Sequence, residues 1–190
     1  MGSSQSEKAA SHDRIVDEAS RQIRARGTDQ PGVAEIMRAV GMTHGGFYKH
    51  FSSRDELVAE AVDRAFADSE SAMSSVTEGA DDPLAAFVDW YLRKEHRDQP
   101  ATGCGVAALA GDVSRGNERL RSAYQRQLEL YLTHLQEMLG GDAESRRRAT
   151  VAVSSLVGAL VLARAVDDDA LSAEIRGDVR DAIKAMRLDA

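Results

Sequence analysis

Apolar residues recur along this 190-residue chain with the three-to-four-residue spacing of amphipathic helices. The pattern predicts nine helices and no strand, separated by short polar or glycine-containing breaks. The predicted helices are 12–26, 31–40, 43–51, 53–76, 83–97, 104–113, 117–139, 144–165 and 171–188. Gly27 and the pair Gly140-Gly141 stand where helices should end, because glycine readily adopts the left-handed conformation that stops a helix. We therefore expect an all-α fold.

The segment from Val40 to Phe51 predicts the turn and second helix of a helix-turn-helix, a unit that reads DNA. Gly41 suits the turn, and Thr43 is a good N-cap for the helix that follows, which we call the reading helix. Phe47 and Phe51 lie four residues apart and would anchor one face of that helix to a core. The side chains expected to point outward are Tyr48, Lys49 and His50.

From about Arg14 to Val62 the sequence resembles the N-terminal domain of TetR-family transcriptional regulators, and this stretch is about a quarter of the chain. The matching residues are Ile15, Ala19, Gly27, Val33, Ile36, Gly41, Met42, Thr43, Phe47, Tyr48, His50, Phe51, Arg54, Glu56 and Leu57. The chain departs from the family where a Thr or Ser commonly opens the first helix of the motif. Pro31 and Gly32 stand there instead.

Side-chain chemistry and the resemblance together predict which residues meet DNA. His44 comes early in the reading helix, where side chains reach base edges, and Gly45 and Gly46 would let the backbone approach the groove. In an alternative interpretation, the two glycines only relieve crowding in a short turn. The resemblance implies phosphate contacts from Tyr48 and His50, and Lys49 and Arg54 are placed with them. The predicted DNA-binding residues are Arg38, Thr43, His44, Gly45, Gly46, Tyr48, Lys49, His50 and Arg54.

Three regions are predicted: a disordered tail (1–11), a DNA-binding domain (12–57, its connecting helix reaching about 76), and a helical ligand-binding and dimerisation domain (83–190). The net charge of −7 is unevenly distributed among them. Residues 8–54 carry eight Lys or Arg and five Asp or Glu, whereas residues 55–190 carry sixteen and twenty-five. Because phosphate binding needs only a local basic face, the acidic total does not exclude DNA as a partner.

The segment 149–163 is apolar on nearly every side, which is typical of a helix buried in protein or lipid. It is shorter than the roughly twenty residues that span a bilayer. We expect it to face its own core on one side and a partner subunit on the other. A wholly internal core helix and a membrane helix are the alternatives. Since TetR-like proteins bind palindromes as symmetric dimers, the resemblance implies a homodimer formed through about 144–165 and 171–188.

The resemblance also implies that the C-terminal body encloses a small-molecule effector whose binding releases the protein from DNA. An aromatic lining with few charges suits an apolar or aromatic effector. The alternative is that aromatic residues at helical spacing are plain core. The candidate lining residues are Phe87, Trp90, Tyr91, Cys104, Tyr124, Leu128 and Tyr131. Cys104 could instead sense oxidants or electrophiles, or simply be a small buried hydrophobic residue.

The only cysteine, Cys104, excludes an internal disulfide and fits a reducing cytoplasm, and Met1–Ala10 has no secretory signal. The sequence has no glycine-rich phosphate loop and no H-E-x-x-H or C-x-x-C motif, so no enzyme, cofactor or metal site is predicted. We therefore predict a ligand-responsive, cytoplasmic TetR-like repressor that binds double-stranded DNA and no membrane. The rivals are a helical scaffold that keeps the motif only for packing, and a helical enzyme.

Overall fold

Helices make up nearly all of the computed structural model, which describes residues 5–186. Within that range it contains nine α-helices, two short 3₁₀ helices and no strand, which confirms the all-α prediction. The α-helices are α1 (Gln5–Arg26), α2 (Val33–Ala39), α3 (Arg54–Thr77), α4 (Pro83–Tyr91), α5 (Lys94–Asp98), α6 (Gly105–Arg115), α7 (Glu118–Met138), α8 (Ala143–Ala165) and α9 (Asp169–Ala185). The 3₁₀ helices are His44–Lys49 and Pro100–Thr102.

The N-terminal unit is built on α1, which packs along α3. Helix α1 buries an apolar stripe that includes Ile15, Ala19 and Ile23, and α2 closes the unit with Ile36 and Met37. This unit, formed by α1, α2, the reading helix and the start of α3, is called the reader below.

Helix α1 begins at Gln5, so residues 5–11 of the predicted disordered tail are helical, while residues 1–4 lie outside the described range. The physical reason is that this stretch contains no Gly or Pro, and adding turns to an existing helix avoids the cost of nucleation. Glu7 in the first turn also favours the helix N-terminus. Similarly, residues 187 and 188 of the last predicted helix lie outside the described range.

The body comprises α4 to α9, with α8 packed between α7 and α9. The predicted single helix over 83–97 is wrong, because the chain breaks after Tyr91 and resumes as α5 at Lys94. The break frees two backbone carbonyls that side chains then satisfy. The Tyr91 carbonyl lies 2.6 Å from His96 Nδ1, and Arg176 Nη1 donates to the Leu92 carbonyl at 2.9 Å. These side chains come from another turn or another helix, so helical spacing alone could not indicate the break.

Helix α8 is buried on one side only. Ala152, Leu156 and Ala159 lie in the core, while Val161 and Leu162 are 45% and 56% exposed. By length and composition this 23-residue helix could cross a membrane, but the core helix of a soluble protein meets the same criterion. Its buried face packs against α7 and α9, so the structure uses it as a core helix with one uncovered side.

The turn after α1 depends on a glycine. Gly27 has φ +91°, and a Cβ there would lie 2.8 Å from the Asp112 carboxylate of α6. By contrast, a Cβ on Gly111 in α6 would meet nothing closer than 4.0 Å. The turn therefore requires glycine at position 27, whereas α6 can accept a side chain at position 111.

We expect Gly27→Ala to destabilise the protein by about 1–2 kcal/mol, because the left-handed conformation is costly for a residue with a Cβ. Gly111→Ala should stabilise it by about 1 kcal/mol through helix propensity. Urea unfolding followed by circular dichroism measures both. A Gly27→Ala variant as stable as the parent would show that this turn does not require glycine.

Candidate DNA-binding surface and effector site

The turn between α2 and the reading helix is fixed by backbone hydrogen bonds. Gly41 adopts φ +73° just after α2. The amide of Met42 donates to the Met37 carbonyl at 2.8 Å, and the amide of Gly41 to the Arg38 carbonyl at 3.0 Å. This pair of bonds is a Schellman motif, which closes a helix end and sets the direction of the following chain. The predicted helix-turn-helix is present with Gly41 in the predicted role.

The reading helix is a 3₁₀ helix over His44–Lys49 rather than the predicted α-helix over 43–51. Its bonds run from Gly46 to the Thr43 carbonyl and from His50 to the Phe47 carbonyl, both at 2.9 Å. Two successive glycines weaken α-helix formation, and short segments readily take the tighter 3₁₀ form. Phe47 and Phe51 anchor it as predicted, with ring centroids 5.4 Å apart and both rings buried.

One face of the reading helix and the adjoining end of α2 are exposed to solvent. Tyr48 is 68% exposed, and its ring contacts His44 edge-on. A Cβ on Gly45 would meet nothing within 4 Å, so this residue faces outward, whereas a Cβ on Gly46 would lie 3.6 Å from Met37 Cε. Gly45 is exposed, and Gly46 is half-buried. The exposed set, called the reading surface below, is Arg38, Thr43, His44, Gly45, Tyr48 and Lys49.

His50 is half-buried behind the reading surface, between His12 and Phe51. Its Nδ1 is buried and has no hydrogen-bond partner among the described residues. Burial is the main cause that lowers the pKa of His50, and His12, Lys8 and Lys49 lower it further. A neutral ring can donate a hydrogen bond to phosphate but brings no charge.

Arg54 makes hydrogen bonds inside the protein that its sequence position did not indicate. Its guanidinium donates to the Pro31 carbonyl through Nη2 at 3.3 Å and also to the Thr28 carbonyl. On the other side of the same loop, the Thr28 amide donates to Asp112 Oδ2 at 2.9 Å. Arg54 and Asp112 together are called the loop clamp. It ties the loop between α1 and α2 to α3 and to α6 of the body. Asp112 lies 84 residues from Thr28, so no local pattern could have indicated it.

Four of the seven predicted effector-lining residues meet in the core of the body. Phe87, Tyr91, Cys104 and Tyr131 are each at most 2% exposed, and we call them the buried cluster. The Phe87 ring centroid lies 5.5 Å from that of Tyr91 and 6.2 Å from that of Tyr131. The other three residues, Trp90, Tyr124 and Leu128, are half-buried. Trp90 stacks on His96, and Tyr124 donates to the Val106 carbonyl. Leu128 packs against the core. None of the seven lines the largest described cleft, of about 640 Å³.

The buried cluster contains polar atoms that its packing does not fully satisfy. Cys104 Sγ lies 3.3 Å from Tyr131 Oη. Tyr91 Oη has no hydrogen-bond partner of good geometry among the described residues. The same holds for Nε2 of Gln127, a neighbour of the cluster that lies one turn from Tyr131 on α7. Burial, with a smaller effect from Cys104, raises the pKa of both tyrosines well above the ordinary value, so both hydroxyls stay protonated. A ligand that accepts hydrogen bonds would satisfy these donors.

His96 supports the cluster and was not predicted from the sequence to have a role. Its Nε2 accepts from the Cys104 amide at 2.9 Å, so Nδ1 carries the proton donated to the Tyr91 carbonyl. Burial lowers the pKa of His96 to about 4, and the ring is therefore neutral at physiological pH. A single histidine thus fixes the backbone at two members of the cluster.

A helix-turn-helix reader mounted on a separate helical body defines a class of DNA-binding transcriptional regulators. The model of bacterial regulatory proteins of the tetR family matches residues 15–61. The model of the LmrA/YxaF-like transcriptional regulator C-terminal domain matches residues 80–172. The HTH-type transcriptional regulator MT0206 of Mycobacterium tuberculosis is 30% identical over 163 residues, covering 80% of this chain and 83% of that protein. The chain belongs to the TetR family, as the resemblance in its sequence indicated.

Two further comparisons extend over most of the chain. The HTH-type transcriptional repressor DhaR of Mycobacterium sp. is 23% identical over 136 residues, covering 70% of this chain and 69% of that protein. The crystal structure of a TetR transcriptional regulator from Chloroflexus aurantiacus has a TM-score of 0.82 at 20% identity, with 94% of each chain covered. The fold of both the reader and the body is therefore that of TetR-family regulators.

The neutral state of His96 makes stability depend on pH. The unfolded chain gains a proton on this histidine near pH 6.5, whereas the folded chain gains it only near pH 4. The contribution of neutral His96 to the free energy of unfolding is therefore complete above pH 6.5 and is lost as the pH falls towards 4. His96→Gln should remove this dependence, because an amide can make both hydrogen bonds without titrating.

We expect the parent protein to lose up to about 3 kcal/mol relative to His96→Gln between pH 6.5 and 4. Urea unfolding at a series of pH values measures the difference. Parallel pH curves for the two proteins would contradict the assignment of a neutral, buried His96.

Proposed function

We propose that this protein is a ligand-responsive repressor in the cytoplasm, which binds a palindromic operator as a homodimer and is released by a small apolar or aromatic effector. The reading surface carries the proposal: an exposed Tyr, Lys, Arg, His and Thr surround an outward-facing glycine on a firmly anchored short helix. Side chains of this kind contact phosphates and base edges in protein–DNA interfaces. One of its relatives, DhaR, is a transcriptional repressor, and this supports repression rather than activation.

Within the reading surface the residues divide by reach and chemistry. His44 and Gly45, at the start of the reading helix, are proposed to meet the major-groove floor. Tyr48 and Lys49, which follow on the same exposed face, are proposed to contact phosphates, and Arg38 and Thr43 to flank them. His50 is proposed as a neutral donor at the edge. Arg54 donates to the loop after α1 through Nε and Nη2, and its Nη1 is still proposed to contact a phosphate.

Titrations of mixed-sequence duplex DNA at several salt concentrations test the DNA-binding part directly. A regulator should bind with a log affinity that falls linearly with log salt. The rival scaffold, which uses the motif only for packing, should show no duplex binding even at low salt. Fluorescence anisotropy of a labelled duplex gives both the affinity and the slope.

The same assay separates Lys49 from Tyr48. Lys49→Ala should reduce the salt slope by about 1, since one phosphate contact of a charged side chain is lost. Tyr48→Ala should weaken binding about tenfold for every sequence with the slope unchanged, because a neutral donor is lost. A change in base preference on Tyr48→Ala would contradict its assignment to the backbone.

The uncovered side of α8 is the proposed dimer interface, together with α9. Val151, Ser154, Gly158 and Leu162 lie on one face of α8, and Leu171 at the start of α9 is also exposed. Exposed apolar side chains next to small residues suit close packing of a second copy. Two paired helices from each subunit would then set the distance between two readers.

We expect the parent chain to be a dimer at micromolar concentration and Leu162→Glu to be a monomer, because the substitution places a charge in the apolar interface. Leu130→Glu on α7 is the matched control: Leu130 is 39% exposed but lies outside the proposed interface. Light scattering coupled to size-exclusion chromatography measures both masses. A monomeric parent, or a dimeric Leu162→Glu variant, would rule out this interface.

The effector is proposed to enter the buried cluster, where its rings would be met by Phe87 and Tyr131 and its acceptor by Tyr91. The cluster is closely packed, so entry requires α4 and α7 to separate, which gives the ligand a way to favour one body conformation over another. Direct sensing of oxidants by Cys104 has less support, since the thiol is 1% exposed and lies against Tyr131.

A further inference from the structure

The largest described cleft, of about 640 Å³, lies away from both the reading surface and the buried cluster. Its walls come from the end of α1, from α5 and α6, and from the last turns of α8. Three arginines line it, Arg24, Arg97 and Arg164. An open cleft lined by three guanidiniums is a candidate site for an anion, so the partners of each arginine decide what it can bind.

Two of the three arginines already have carboxylate partners. Arg97 donates to Asp98 at 2.5 Å and to Asp169 at 2.7 Å. Arg24, whose side chain is nearly buried, donates to Asp68 at 2.8 Å. Both charges are therefore compensated inside the protein.

Arg164 has no carboxylate partner among the described residues. Its Nε donates to the Arg97 carbonyl at 3.1 Å and its Nη2 to the His96 carbonyl at 2.6 Å. The guanidinium is part-buried, and burial lowers the pKa of Arg164 from its ordinary value. A part-buried cation held only by neutral carbonyls is poorly compensated, and guanidinium groups pair most strongly with planar anions.

Gly103 brings Arg164 and Arg24 to the same point. Arg24 Nη1 donates to the Gly103 carbonyl at 3.3 Å. A Cβ on Gly103 would lie 2.9 Å from Arg164 Nη2, so the missing side chain is what allows the guanidinium to approach. Two guanidiniums, one from the reader and one from the body, therefore approach each other at Gly103, and both arginines line the cleft.

Much of the remaining wall is aliphatic. It includes Ala107, Ala108, Val161 and Val166, beside the two aspartates on Arg97 and a third, exposed aspartate, Asp167. This lining suits a short hydrocarbon chain. The three carboxylates disfavour a ligand with two negative charges, so a carboxylate should be preferred over a phosphate.

We propose that this cleft binds a small aliphatic carboxylate, with its head group on the guanidinium of Arg164 near Arg24 and its chain against the alanines and valines. The inference does not rest on DNA binding. It assigns a site distinct from the buried cluster, and a ligand there would touch both the reader and the body.

Isothermal titration of the full chain, without DNA, tests the proposal with hexanoate, hexanamide and inorganic phosphate. We expect hexanoate to bind once per chain, and at least tenfold more tightly than either of the others. Hexanamide binding equally well would show that the carboxylate is not recognised. Phosphate binding more tightly, or no detectable hexanoate binding, would also overturn the proposal.

Substitutions locate the site. Arg164→Gln should weaken hexanoate binding at least tenfold. Asp167→Asn should tighten it several-fold, because a repelling charge on the rim is removed. Arg126→Gln, which alters an exposed arginine on α7 outside the cleft, is the matched control and should leave the affinity unchanged.

Because Arg164 also satisfies two carbonyls, a circular dichroism melt checks that Arg164→Gln is folded. The Asp167→Asn variant is expected to gain hexanoate affinity, which misfolding cannot produce. Hexanoate affinity that is the same in the parent, Arg164→Gln and Asp167→Asn would place the ligand elsewhere. Since no DNA is present in this experiment, a negative result would not affect the conclusion about DNA binding, which the duplex titrations test separately.

Discussion

The loop between α1 and α2 is held from two sides, and the position of the reader depends on that contact. Arg54, at the start of α3, donates hydrogen bonds to the carbonyls of Thr28 and Pro31. Asp112 of α6 accepts a hydrogen bond from the amide of Thr28. Thr28 is 6% exposed, so these hydrogen bonds are shielded from water and are costly to break. The loop that precedes α2 is therefore fixed to the start of α3 and to α6 of the body.

Helix α3 makes the same connection over a longer distance. Its 24 residues span roughly 36 Å, and it packs on α1 of the reader and on α4, α6 and α7 of the body. There Ser69 accepts the Gly105 amide at 3.0 Å, next to Cys104 of the buried cluster. Gly105 lies so close that a Cβ would be 3.0 Å from the Phe66 ring. A ligand that moved the start of α6 would therefore act on α3 and on the loop clamp together.

Local patterns were sufficient where the structure is decided by neighbours in sequence. Gly41 and the Phe47–Phe51 pair follow from cap chemistry and spacing, and Gly41 does adopt the left-handed conformation, with φ +73°. The roles of Arg54, His96 and Arg164 could not be predicted in this way. Each depends on carbonyls or amides freed by turns elsewhere, and in two cases the partner lies more than twenty residues away.

The aromatic residues illustrate a different limit. Their helical spacing on α4 and α7 is compatible with either a lining or a plain core, and Phe87, Tyr91 and Tyr131 lie together in the core. Spacing cannot distinguish an interior that is filled from one that holds a cavity, because that depends on how closely the helices approach. The same limit applies to the 640 Å³ cleft, whose walls come from four separated segments.

The central claim is that two copies of the reader, joined through α8 and α9, recognise one palindrome. Selection from random duplex DNA by the purified protein, read by sequencing, tests it most directly. The account predicts enrichment of an inverted repeat whose half-site spacing matches one helical turn or a multiple of it. Enrichment of a single half-site would contradict the dimer, and no enrichment at low salt would contradict the assignment of the reading surface to DNA.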